Sequence, residues 1–228
     1  MIHRTPRTLF LTLATIVLTV VPTMAGERAK HHFGVKGGVL ASIPYDIFIQ
    51  SDQFEATAIE NIGRVGTALS AAWLIELDKF FVQPELSYIF SQGAARFFLV
   101  DESAVHPAEQ QIDYRYQMMS LPVQLGYNLV KDNYYSLGFY LAPQIDYRIK
   151  AQYVFNDNAA ESSFGPWGVH AGFGVNIIID DITMDMRYAF APFEHSVTLT
   201  PERSENHHHE CSISQRNNML SIVVGYYF

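Results

Sequence analysis

The feature that most constrains this chain is a strict two-residue alternation, clearest between Trp167 and Asp180. Trp167, Val169, Ala171, Phe173, Val175, Ile177 and Ile179 fall in one set, and Gly168, His170, Gly172, Gly174, Asn176 and Asp180 in the other. Successive side chains of an extended backbone point to opposite faces, so each set lines one face of a strand. A helix would need its apolar residues three and four apart, which this stretch does not show. Seven further segments repeat the pattern, at about 33–42, 65–77, 80–91, 119–129, 135–148, 182–190 and 219–228. In the last, Leu220, Ile222, Val224, Tyr226 and Phe228 form one wholly apolar face.

The connections alternate as well. Asp78-Lys79, Lys131-Asp132-Asn133 and Asp180-Asp181 are turn-sized, whereas 43–60, 94–112, 152–164 and 193–216 are long, polar and without a sustained period, and read as loops. The alternation around the second short turn runs back to Asp113 and on past Lys150. That exceeds the roughly 9–11 residues that cross a bilayer, so this hairpin is expected to stand tall outside the membrane.

The two faces differ in a decisive way. The apolar faces carry Trp73, Phe139, Trp167, Phe173, Tyr188 and Phe228 and no ionised group, while the polar faces are rich in glycine and hold charges. A soluble barrel turns its apolar face inward and its charges outward. Here the outside is made for lipid. Hydrophobic residues make up 49% of the 228, yet mean hydropathy is only +0.04, as dispersal by alternation produces. Lipid offers no partner to an open sheet edge, so the sheet must close, with the last strand pairing the first near Phe33 to Ser42. The expected fold is all-β: a closed antiparallel up-and-down transmembrane β-barrel of about eight strands, with short periplasmic turns and long extracellular loops.

Export is consistent with the start of the chain. Arg4 and Arg7 precede the apolar run Leu9 to Val21, and Thr23-Met24-Ala25 follows, as in a secretory signal peptide. We therefore expect a signal peptide over 1–25 and a barrel domain over 26–228, in the outer membrane of a Gram-negative bacterium. Cleavage removes two of the 15 basic residues and none of the 23 acidic ones, so net charge goes from −8 to −10. That balance argues against nucleic acid as a partner. The single Cys211 cannot form an internal disulfide.

Four motifs give the pattern a family likeness: Gly34-Val35-Lys36-Gly37-Gly38, Gln83-Pro84-Glu85-Leu86-Ser87-Tyr88, Leu121-Pro122-Val123-Gln124-Leu125-Gly126-Tyr127 and the closing Val224-Gly225-Tyr226-Tyr227-Phe228. In order and spacing the chain from about residue 31 to 228 resembles the PorT-like outer-membrane β-barrel domain family. The resemblance implies an outer-membrane barrel with no catalytic residues. It also implies that Tyr226 and Phe228 act as an assembly signal, a terminal aromatic read by the barrel-assembly machinery. One departure is Gly126, where many relatives carry Lys or another polar residue.

The inward faces carry Lys36, Arg64, Glu76, Gln83, Glu85, Asn128, Asp146, Arg148, His170, Asn176, Asp185 and Arg187. Counting from the short turns places Lys36, Glu85, Asp185 and Arg187 low, and Arg64, Asp146, Arg148 and His170 higher. Charges withdrawn from water must be paired, and a lumen of about eight strands is only wide enough for side chains. A polar network plugging the barrel is expected, in a structural or surface-interaction protein. A narrow porin-like channel for ions or small solutes is the alternative, and an outer-membrane enzyme a second. Catalysis lacks a visible nucleophile and base: Glu194, His195 and His207 to His209 share one loop with no partnered Ser or Asp at a defined spacing. The run His207-His208-His209-Glu210-Cys211 could ligate a metal, but adjacent residues on a loop rarely converge on one ion, and a solvated loop is expected there and at His31 and His32. No metal and no cofactor is therefore expected. The expected partners are outer-membrane lipid, the assembly machinery and a surface ligand or protein at loops 94–112 and 193–216. Pro84, Pro122 and Pro143 fall inside proposed strands and predict bulges or local breaks in the ladder.

Overall fold

The structure, a computed structural model, describes residues 29–51, 55–57, 60–99, 108–155, 158–164, 166–193, 195–201 and 211–228. The expected signal peptide lies outside them. Twelve strand segments are present: β1 (Lys30–Ser51), β2 (Glu55–Thr57), β3 (Glu60–Gly63), β4 (Val65–Leu77), β5 (Phe80–Leu99), β6 (Ala108–Lys131), β7 (Tyr135–Phe155), β8 (Asn158–Phe164), β9 (Trp167–Ile179), β10 (Ile182–Phe190), β11 (His195–Pro201) and β12 (Cys211–Tyr227). Eight of them, β1, β4, β5, β6, β7, β9, β10 and β12, form an antiparallel ring. It closes where β1 pairs β12, from Gly34 opposite Tyr227 to Ser51 opposite Cys211.

Two of the tight turns are built on aspartate. Asp78 and Asp180 have φ of 59° and 52°, the left-handed region that a short polar side chain tolerates. The chain reverses there at once, with Leu77 opposite Phe80 and Ile179 opposite Ile182.

The stretches expected as long loops are largely strand. β1 continues to Ser51, β5 to Leu99 and β7 to Phe155, while β6 begins at Ala108 and β12 at Cys211. The short β3, β8 and β11 continue the lines of β4, β9 and β10 upward, so that β3 pairs β5, β8 pairs β7 and β11, and β11 pairs β12. The barrel wall therefore rises beyond the membrane on all sides, not only at the β6–β7 hairpin, whose expected height is observed.

A reversal of polarity hides this wall from a single-phase reading of the sequence. Low on β12, Leu220, Ile222, Val224 and Tyr226 face out and Val223 and Tyr227 face in; higher up, Asn218, Arg216 and Ser214 face out and Ile213 is buried inside. On β6, Met119 gives way to Gln117, Arg115 and Asp113 outside, while Met118, Tyr116, Tyr114 and Ile112 are buried. On β7 the change coincides with a bulge, where one extra residue stands between Arg148, opposite Met118, and Lys150, opposite Gln117. Below the boundary the solvent outside is lipid, and above it is water.

The three prolines break the ladder without shifting it. β4–β5 skips from Ala72–Glu85 to Ile75–Val82, β5–β6 from Pro84–Val123 to Ser87–Ser120, and β6–β7 from Pro122–Gln144 to Leu125–Leu141, with register kept each time. Proline has no N–H to give, so breaks rather than bulges are the outcome here.

Candidate functional site

The lumen is stacked in layers, each made by the inward face of several strands. At the short-turn end a vestibule of about 400 Å³ is lined by Lys30, His32, Glu76, Lys131, Asp180 and Tyr227, among others. Glu76 pairs with Lys131 at 3.1 Å. Above it lies an apolar floor of Leu74, Phe81, Tyr140, Ala142 and Tyr227. The Phe81 ring lies where a Cβ on Gly126 would have to go, which gives the departure at Gly126 a physical reason.

The next layer is an ion lock. Lys36 on β1 donates from Nζ to Glu85 Oε1 on β5 at 2.8 Å and to Asp185 Oδ2 on β10 at 2.7 Å. Arg187 Nη2 donates to Glu85 Oε2 at 2.7 Å. Two cations meet two carboxylates, so the cluster is neutral. The Lys36, Glu85 and Asp185 side chains are no more than 1% exposed. Remaining acceptor capacity is used by amides and phenols: Gln124 Nε2 donates to Glu85 at 2.8 Å and to Asp185 at 2.9 Å, Gln83 Nε2 to Glu85 at 2.5 Å, and Tyr140 to Asp185. Tyr227 donates to Gln83 Oε1 at 2.5 Å and thereby ties in β12. Buried charges persist when paired and hydrogen-bonded in this way, and among the described residues the polar atoms of the lock left without a partner are Arg187 Nε and Gln124 Oε1.

Above the lock the space narrows to about 30 Å³ between Leu40, Ile89, Arg187 and Met219, among others, room for one or two waters. A second polar layer follows. Asp146 on β7 meets His170 Nδ1 on β9 at 2.5 Å and accepts from Gln144 at 2.8 Å. His170 Nε2 reaches the Asn217 carbonyl at 3.0 Å, and Ser42 Oγ lies 2.6 Å from Asn217 Oδ1.

The extracellular tier has its own apolar core of Leu40, Ile47, Ile112, Tyr114, Tyr116, Met118, Tyr153 and Ile213. The Tyr116 and Tyr153 hydroxyls are 2.7 Å apart, and Gln215 donates to Tyr116. Burial pushes the phenols of Tyr114, Tyr116 and Tyr153 above the ordinary value. Arg148 stands over the Tyr116 ring, 5.8 Å from its centroid.

Of the residues singled out from sequence, Lys36, Glu85, Asp185 and Arg187 thus meet in one cluster, and Asp146 with His170 in another. Arg64 joins neither; it pairs with Asp113 at 2.7 Å with both side chains about one third exposed. The sequence reading does not place Gln124, Tyr140 and Tyr227 in the lumen network, although their phase on the inward faces is the signal that finds them. Tyr226 and Phe228 face outward, rings 5.5 Å apart. His31 is exposed beside Trp73, and His32 lines the vestibule. Residues 207–210 and the Cys211 side chain lie outside what the structure describes; among the described residues no group of three or more His, Cys, Asp or Glu is placed to hold a metal.

The outer wall completes the picture. Exposed Phe33, Leu69, Phe80, Leu125, Phe139, Leu141, Phe173, Met186 and Val224 form an apolar band, and aromatic contacts mark both rims. Phe33 stacks on Trp73 at 5.5 Å and Phe80 meets Tyr127 at 5.1 Å at the short-turn rim, while Tyr147 meets Trp167 at 5.0 Å at the other. Aromatic girdles around a closed antiparallel barrel with short turns at one end define an integral outer-membrane β-barrel of a Gram-negative bacterium. The comparisons agree: the chain belongs to the family of the outer membrane protein beta-barrel domain, whose model matches residues 24–196. Among solved structures, the outer membrane protein OprG from Pseudomonas aeruginosa shares 12% identity, covers 86% of this chain and 95% of its own, and superposes with a TM-score of 0.56. Ail, the attachment invasion locus protein of Yersinia pestis, shares 12% identity over 87% of this chain and 99% of its own with a TM-score of 0.39. The outer membrane protease OmpT from Escherichia coli shares 8% over 88% and 96%, with a TM-score of 0.42. Identities this low make the likeness to OprG one of fold alone. No curated protein matches the sequence.

Proposed function

We propose that this protein is a non-conducting barrel of the PorT-like kind, whose plugged lumen stiffens a wall presented at the cell surface for structural or surface-interaction work. The observation that carries the reading is Lys36, whose single ammonium bridges Glu85 and Asp185 across the lumen with all three side chains out of water. An ion path would need to part that lock. The PorT-like assignment gains support from what its motifs do: Lys36, Gln83, Glu85 and Gln124 come from three of the four motifs and converge on the same cluster.

The protein is not an enzyme in this proposal. The buried Asp146–His170 pair resembles half of a catalytic relay, but the second histidine nitrogen is engaged by the Asn217 carbonyl, so neither nitrogen is free to take a proton from a nucleophile. Surface contacts fall to the segments 94–112 and 193–216, and the outward Tyr226 and Phe228 serve as the assembly signal. Nucleic acid, metal and cofactor have no part. The test is conductance in planar bilayers: purified folded protein gives no steady current, and large persistent single-channel steps would overturn the proposal in favour of a channel.

A further inference from the structure

The outward face turns polar just above Met119 on β6 and Ile149 on β7, and two basic side chains stand in that first polar zone. Arg115 and Lys150 are both exposed. Gln117 lies opposite Lys150, and Arg115 opposite Gln152, so the two cations are diagonal neighbours on adjacent strands, about 7–8 Å apart at the backbone. Other described cations near this rim are spoken for. Arg64 holds Asp113 at 2.7 Å, and Arg96 holds Glu60 at 3.2 Å.

Asp113 lies two residues above Arg115 on the same face, yet it is paired with Arg64, and its Oδ1 accepts from Gln111 as well. Arg115 is flanked by Gln92 and Gln152, and Lys150 faces Gln117, whose amide oxygen already accepts from Tyr88. Among the described residues neither cation has a carboxylate partner. The chain as a whole is acidic, with formal net charge −8, so an unpaired basic pair at the edge of the lipid band runs against the background. Long basic side chains at this depth place their charge in the headgroup zone. A guanidinium fork beside an ammonium offers several donors to a phosphate ester and none of the acceptors that a neutral sugar would also need.

We propose that Arg115 and Lys150 clamp the phosphate of an outer-leaflet glycolipid, fixing the β6–β7 face of the barrel against the leaflet. The probe is diphosphoryl lipid A in phosphatidylcholine nanodiscs holding the full mature barrel, with retained lipid counted by native mass spectrometry. The wild type retains lipid A. Arg115→Gln and Lys150→Gln each weaken retention about five-fold and together about thirty-fold, Arg115→Lys keeps most of it, and Arg96→Gln changes nothing. Both side chains point outward, so the heat-modifiable folded band stays intact in every variant. Equal retention by the double variant overturns the clamp and leaves two solvated charges. Equal retention of phosphatidylglycerol overturns the glycolipid assignment, and displacement by free inorganic phosphate alone overturns the lipid as the source.

Discussion

Replacing Lys36 by methionine tests the ion lock directly. The substitution keeps length and apolar stem but removes the charge that Glu85 and Asp185 share at 2.8 and 2.7 Å. Arg187 still holds Glu85, while Asp185 retains only the neutral donors Gln124 and Tyr140, so one unit of negative charge stays buried without a counter-ion. Removing one partner of a buried pair costs about 3–5 kcal/mol. With a urea slope of roughly 1–3 kcal/mol per molar, that lowers the unfolding midpoint in lipid vesicles by about 2 M. Tryptophan fluorescence of Trp73 and Trp167, both on the wall, reports the transition. Adding Asp185→Asn to Lys36→Met restores neutrality and recovers most of the loss. An unchanged midpoint for Lys36→Met alone would refute the reasoning, because it would mean that water already compensates these charges and the lumen is not sealed.

Three further outcomes follow from the same geometry. Gly38→Ala, on the inward face of β1, places a methyl against the Ile222 carbonyl and 2.6 Å from Val223 Cα at the closing seam, whereas Gly37→Ala on the outward face meets nothing nearer than 3.9 Å; the first lowers stability by about 1–3 kcal/mol and the second is neutral by the same urea assay. Removing the aromatics at Tyr226 and Phe228 lowers the yield of heat-modifiable barrel in the outer membrane more than trimming any surface segment does, and normal yield would retire the assembly-signal proposal. Because the Tyr114, Tyr116 and Tyr153 phenols are raised from the usual 10.0, the neutral forms are favoured in the folded state. Their contribution is whole below pH 10 and is lost as pH rises through the folded values. Exchange protection in the upper parts of β6 and β7, corrected for the base-catalysed intrinsic rate, therefore falls only above that range, and ultraviolet titration finds these phenols ionising after the exposed tyrosines.

The sequence by itself determined the class of fold, because eight runs of alternation with uncharged apolar faces leave lipid outside and force closure. It also placed Lys36, Glu85, Asp185 and Arg187 low on the inward faces, since phase and distance from a tight turn are both countable along the chain. Proline chemistry located the ladder breaks at Pro84, Pro122 and Pro143. Only the tertiary structure decided which charges meet. Lys36 and Asp185 are 149 positions apart and become neighbours through the curvature of a closed wall, which no local pattern encodes. The same holds for Arg64, whose inward phase suggested the lumen but whose height brings it to Asp113 instead. The extracellular wall reads as loops in the sequence for a related reason: the meaning of apolar and polar faces reverses where the surrounding medium changes from lipid to water, and a bulge at that level shifts the phase on β7.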